Sequence, residues 1–215
     1  MPKTYAYAAA SACLFLSACA SVPSSAELDK LTAAIIKASF RDEGLVKVDR
    51  LTQDDANREC SAADVAGKPI DEAVRASIEA ANMKAIKWPS DGKFVGDWRE
   101  GEKIAQSGRG LTWTDDATQA NGGNCYNCHQ IDQKEISYGT IGPSLHNYGK
   151  LRGITDPNSA TAKPIVEYTW GKIWNAKAYN ACSNMPRAGH AGILNEAQVR
   201  HVVGLLLDPK SPVNQ

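Results

Sequence analysis

The chain has 215 residues, enough for one compact domain plus an extension or for two small domains. Hydrophobic residues make up 43% and charged residues 22%, which excludes an intrinsically disordered chain. The 24 basic residues balance 24 acidic ones, so no large basic field is available to hold nucleic acid, and any partner must dock on local patches.

Lys3 is the only charged residue before Glu27. The apolar stretch from about Ala8 to Leu16 is too short for a permanent membrane span and reads as an export signal over residues 1–20. Two processing readings compete. Leu16-Ser17-Ala18-Cys19 resembles a bacterial lipoprotein signal, which would leave Cys19 lipidated at a new N-terminus and anchor the chain to a membrane. Ala18-Cys19-Ala20 is also an A-x-A site, which would release a soluble protein from Ser21. The lipid reading is favoured because Cys is uncommon in signal regions, although Cys13 shows that this one tolerates a cysteine without a role. Either way the expected location is a bacterial periplasm, an oxidising compartment in which disulfides persist.

After a Ser-rich tether at 21–25, Ser24 and Glu27 form a capping pair, and Leu28, Leu31, Ile35 and Ala38 recur at helical spacing until Gly44. Thr52 with Asp55 predicts a second, short helix ending near Cys60. Pro69 suits the first turn of a third, whose stripe is Ile70, Val74, Ile78 and Ala81. Residues 21–92 thus read as a helical extension. Beyond the loop with Pro89, Gly92 and Gly96, Asp97 and Glu100 start a helix over 98–107 that Gly108 closes. Residues 130–190 read as loops with a helix near 164–180. A last helix begins at Asn195 with Gln198 completing its cap, and Pro209 ends it. Gly101 and Ala105 would let the helix at 98–107 cross the Val202–Leu206 face closely. No strand-like alternation of any length occurs, so the fold class is all-α.

The chemistry sits in Cys125-Tyr126-Asn127-Cys128-His129. A two-residue spacer lets both thiols add to the two vinyl groups of one haem, and the adjacent imidazole reaches the iron from the same side. A zinc site would want a second pair of ligands at similar spacing, and no second C-x-x-C exists. A redox dithiol would want a βαβ pattern, which is absent. The expected cofactor is one covalently bound haem c. For the opposite face of the iron the candidates are Met185 and Met83, with His146, His190 and His201 as rivals. Met185 is preferred, because Pro186 stiffens the loop that presents its thioether. Met83 lies in the extension, and His201 falls off the apolar stripe of the last helix and is expected to be solvated. His129 and Met185 as iron ligands would leave no open position for substrate, which favours electron transfer.

Ile141-Gly142-Pro143-Ser144-Leu145 resembles the Gly-Pro-x-Leu segment of class I cytochromes c. There the Pro carbonyl, here that of Pro143, accepts the proton of the ligating imidazole's free nitrogen. Residues 93–215 are accordingly expected to be a class I cytochrome c domain. Cys60 and Cys182 are either buried free thiols or, as an even pair in an oxidising compartment, a disulfide; the disulfide is favoured. The five tryptophans are expected to be packing residues without a redox role.

Several runs resemble the SoxX family of sulfur-oxidation cytochromes: Gly123-Asn124-Cys125-Tyr126-Asn127-Cys128-His129, Gly142 through Gly153, Asn180-Ala181-Cys182-Ser183-Asn184-Met185-Pro186-Arg187, and Leu205 through Asn214. The likeness extends over roughly 30–215, including the extension. One departure is Ala188, where a Phe is expected after Pro-Arg; it should open the surface beside the Met loop. The resemblance implies a larger cytochrome subunit, SoxA, as partner. The pair would form an L-cysteine S-thiosulfotransferase that joins thiosulfate oxidatively to a cysteine of the SoxYZ carrier, with electrons leaving to a small cytochrome c acceptor. The catalytic cysteine is then expected on SoxA, none on this chain, which would be the electron-exit subunit. Arg187, Lys150 and Arg152 are expected to border the docking surface, or else to serve the haem propionates or simply keep the surface wet. The alternative is a free-standing periplasmic cytochrome c electron carrier.

Overall fold

The computed structural model describes residues 23–215; residues 1–22, with the signal segment and Cys19, lie outside the described residues. Two compact units divide the chain at Arg41 and Asp42. The first contains helix α1 (Ser25–Ser39), opened by a full capping box between Ser24 and Glu27. α1 stops at Phe40, whose extended backbone takes the chain out of the helix, and Gly44 instead serves a turn at φ +53°.

The second unit begins at Asp42, so the stretch 42–92 clusters with the region that follows it and is not a separate extension. It holds α2 (Asp55–Val65), α3 (Glu72–Lys84), α4 (Trp98–Gln106), α5 (Lys163–Trp174) and α6 (Glu196–Leu207). Among the described residues the only β pairing is an isolated bridge between Glu43 and Val46, and no helix is long and apolar enough to cross a membrane.

α2 runs past Cys60 because nothing breaks it before Gly67. There the Lys68 N–H bonds the Ala63 carbonyl and the Gly67 N–H that of Asp64, with Gly67 at φ +61°, a left-handed stop that suits glycine. Its cap is Asp54 rather than Thr52. α3 starts two residues after Pro69's neighbour Ile70, because Asp71 accepts the N–H groups of Ala73 and Val74. α5 ends at Trp174, where Asn175 (φ −149°, ψ 89°) leaves the helical region, and a short 3-10 turn Ala176–Ala178 follows. α6 carries the expected Asn195–Gln198 capping box.

α4 and α6 cross in close contact, and the reason is mutual. A Cβ on Gly101 would lie 2.1 Å from the His201 carbonyl oxygen, and one on Gly204 would lie 2.3 Å from that of Gly96. Only backbones that meet through glycine approach so closely. Gly96 N–H also bonds the Arg200 carbonyl at 2.9 Å. His201 is not solvated as expected: its Nδ1 accepts the Asp97 N–H at 3.0 Å, which helps to fix the start of α4 against α6. The core beside this crossing is Trp170, fully buried, stacked on Trp174 at 5.7 Å and met edge-on by Phe94 at 5.6 Å. Trp170 Nε1 donates to the Lys87 carbonyl, tying the end of the 42–92 stretch into this core.

Candidate functional site

The Cys125-x-x-Cys128-His129 run folds locally. Asn124 enters in the left-handed region (φ 49°, ψ 38°), which Asn tolerates. Cys125–Asn127 is one 3-10 turn whose Cys125 carbonyl accepts both the Cys128 and His129 N–H groups. The later segment 139–145 is then stitched onto it. Gly139 N–H bonds the Tyr126 carbonyl, Gly142 N–H that of Cys128, and Leu145 N–H that of Gln130, at 2.7–2.8 Å. Two glycines make the approach feasible: a Cβ on Gly139 would sit 1.7 Å from the Asn127 oxygen, and one on Gly142 would sit 2.2 Å from His129 Cε1.

This stitching holds the imidazole. His129 Nδ1 lies 2.7 Å from the Pro143 carbonyl oxygen. A carbonyl can only accept, so Nδ1 carries the proton and Nε2 keeps its lone pair. That is the tautomer a metal-binding histidine needs, with ring orientation fixed by a backbone partner.

Cys125, Cys128, His129, Gly142 and Pro143 line a cavity of about 600 Å³, and Met185, Pro186 and Ala188 also line it. Much of the remaining wall is apolar, including Ile131, Leu145, Leu194, Val202, Leu205 and Leu206. Arg152 and Lys172 supply cationic groups to the lining. Arg152 is held by its guanidinium over the Tyr148 ring at 3.7 Å and by a 2.9 Å bond to the Tyr148 carbonyl. The Met and His rivals Met83, His146, His190 and His201 are not among the lining residues. Met83 is exposed on α3, His146 Nε2 meets Asn147 Nδ2 at 3.0 Å, and His190 faces solvent.

These residues fit a covalently held haem. The volume lies in the range of cofactor pockets. Two thiols that are not joined to each other, an imidazole with its Nε2 lone pair free and a thioether share one mostly apolar cavity, and glycine stands where a side chain would strike the imidazole. Burial pushes the Cys125 thiol up to about 11, with the neighbouring Cys128 adding to the rise. A poised redox dithiol would need the opposite shift.

Cys60 and Cys182 are bonded to each other, with Cα atoms 5.5 Å apart, so Cys60 on α2 is tied three residues before Met185. Arg187 lies two residues after Met185. It pairs with Asp54, the cap of α2, and is only 21% exposed. Lys150 is exposed. Ala188 packs against the core, and its carbonyl accepts the Ile193 and Leu194 N–H groups. One residue with a part in positioning escaped the sequence reading. Asn214 accepts the Gly149 and Lys150 N–H groups and donates to the Leu206 carbonyl, pinning the segment after Pro143 to the end of α6. Its only signal was its place in the terminal Ser211-Pro212-Val213-Asn214 run.

A family model described as Cytochrome c matches residues 99–208, slightly more than half of the chain. A protein of Aquifex aeolicus (strain VF5), described as an uncharacterized lipoprotein, is 39% identical over 137 residues, which cover 62% of this chain. The match spans 60% of that relative's length.

Proposed function

Because the chain belongs to the cytochrome c family, with an all-α class I fold and covalently bound haem c, we propose that it is a monohaem electron-transfer subunit of a SoxAX-type L-cysteine S-thiosulfotransferase. Haem c supplies reversible one-electron chemistry. Cys125 and Cys128 would hold it by thioether bonds, and His129 and Met185 would supply the ligands to its iron, with the Pro143 carbonyl orienting the imidazole. The observation that carries the electron-transfer reading is the single cavity lined by both thiols, the Nδ1-protonated imidazole and the Met185 loop. A thioether ligand closes the iron to substrate and raises the potential, which suits electron passage over catalysis.

The assignment to sulfur oxidation rests on the resemblance of the haem, Gly-Pro, Met-loop and C-terminal runs to SoxX. In this reading SoxA carries the catalytic cysteine, SoxYZ receives the thiosulfate sulfur, and this chain passes the released electrons to a small cytochrome c. The periplasm is the proposed location. The lipoprotein description of the Aquifex relative supports lipidation of Cys19 and a membrane anchor.

Met185→Ala in the ferric holoprotein should abolish the weak sulfur-to-iron absorbance band and lower the potential; a surviving band would remove Met185 as ligand. Alone, the chain should exchange one electron and consume no thiosulfate. With SoxA and SoxYZ added, thiosulfate should reduce its haem. Reduction by other donors but never by that mixture would leave the chain a free-standing carrier.

A further inference from the structure

Met185 is presented by residues 179–187, which belong to no helix. Helices outside the residues matched to the family fasten this loop. Arg187 pairs with Asp54 at the start of α2, and Cys182 is bonded to Cys60 within α2. The Ala181 N–H donates to Glu79 Oε1 of α3 at 3.3 Å. At the foot of the loop, Asn175 Nδ2 donates to Asn82 Oδ1 at 2.9 Å and to the Asn82 carbonyl at 3.2 Å. The loop is thus held on both sides of the methionine, three residues before it by a covalent bond and two residues after it by an ion pair. Lys177, buried, donates from its Nζ to the Ala181 carbonyl of the same loop at 3.2 Å.

We propose that α2 and α3 form a clamp in which Asp54, Cys60 and Glu79 are positioning residues that hold the Met185 loop closed over the cavity. The clamp sets how often the thioether leaves its place and an external ligand takes it. An external ligand binds in proportion to the population of the open loop, so its apparent affinity reports the clamp directly. The inference rests on Met185 being an axial ligand, and the experiment separates the two.

The ferric holoprotein is titrated with imidazole while the sulfur-to-iron band is followed. Asp54→Asn removes the charge but keeps an oxygen to accept the Asn57 N–H, so α2 remains capped. It should raise imidazole affinity about fivefold. The Cys60→Ser/Cys182→Ser pair should raise it about tenfold or more, and Asp54→Asn suffices if that protein does not accumulate. The control is Asp91→Asn. It breaks another ion pair to a 21% exposed arginine, Arg200 of α6, whose carboxylate partners are Asp91 and Glu196 and not a residue of the loop, and should leave the affinity within about twofold. If Met185→Ala keeps the band, the ligand assignment fails and the clamp with it. If Met185→Ala loses the band while Asp54→Asn binds imidazole like the wild type, the clamp alone is overturned. The clamp is equally overturned if Asp91→Asn matches Asp54→Asn, since general loosening would then be the cause.

Discussion

The Cys125–His129 side of the cavity and the Met185 side are built by different means. On the first, everything that fixes the imidazole comes from within about twenty residues: the 3-10 turn, the Gly139 and Gly142 approaches and the Pro143 carbonyl. On the second, the partners of the loop lie more than a hundred residues away, at Cys60, Asp54 and Glu79. A wall made by local backbone bonds is stiff and survives changes elsewhere. A wall made by a disulfide and an ion pair depends on the redox state and pH around it. On the proposed ligand set, the locally built side would fix how the haem is attached, and the side held by distant partners is where its properties would be adjusted.

The sharpest break of this contrast is loss of attachment. Cys125→Ser with Cys128→Ser should leave no haem on the chain after denaturing electrophoresis and haem staining, whereas Met185→Ala should keep full staining. Equal loss in both would mean the two sides do not act separately.

Next in size is the disulfide. The linked cysteines are 122 residues apart. Chain entropy then gives the bridge at most about 4–5 kcal/mol, with residual structure in the unfolded chain reducing it. Denaturant titrations with and without reductant should show a large downward shift of the midpoint. Thiol labelling of denatured, unreduced protein should find neither Cys60 nor Cys182.

Gly142→Ala tests the stiff wall. The new methyl would need the His129 ring to move, because its Cβ lies 2.2 Å from Cε1. Overpacking of this kind costs about 1–3 kcal/mol. Thermal unfolding should reveal it, and the potential should shift as the Nδ1 bond to Pro143 loosens. The control is Gly67→Ala at φ +61°, which meets no neighbour within 4 Å. It should cost about 1 kcal/mol from backbone strain and leave the potential alone.

The smallest effect is a pH dependence. Burial pushes the Asp54 carboxyl up, but the Asn57 N–H and Arg187 together outweigh it and hold it below the usual range. A carboxyl depressed in the folded state adds stability above its unfolded value of about 4, and that stability is lost as pH falls through the folded value. The stability difference between wild type and Asp54→Asn should therefore be full at neutral pH and close on acidification. A difference that persists at low pH would mean the pair does not act through charge.

Much of this was legible in the sequence because it is local. Capping pairs Ser24–Glu27 and Asn195–Gln198, the glycine-permitted crossing of α4 and α6, and the haem-binding run all depend on residues a few positions apart or on side-chain size alone. Helix lengths were less legible. α2 outran Cys60 because the stop was the left-handed Gly67, and α5 fell short because Asn175 turned its side chain to Asn82. The partners of His201 and Arg187 were not legible, because periodicity and exposure patterns cannot tell that a polar side chain will find a partner 104 or 133 residues away.

By itself the sequence determined the all-α class and singled out Cys125, Cys128 and His129 as the haem-binding candidates, with the short list from which Met185 came, since spacing and residue chemistry carry those. Only the tertiary structure decided that residues 42–92 belong to the same compact unit as the haem region and that their helices grip the Met185 loop. A disulfide, an ion pair and a carboxylate–amide contact join residues far apart in the chain, and no local propensity encodes which distant partner each will meet.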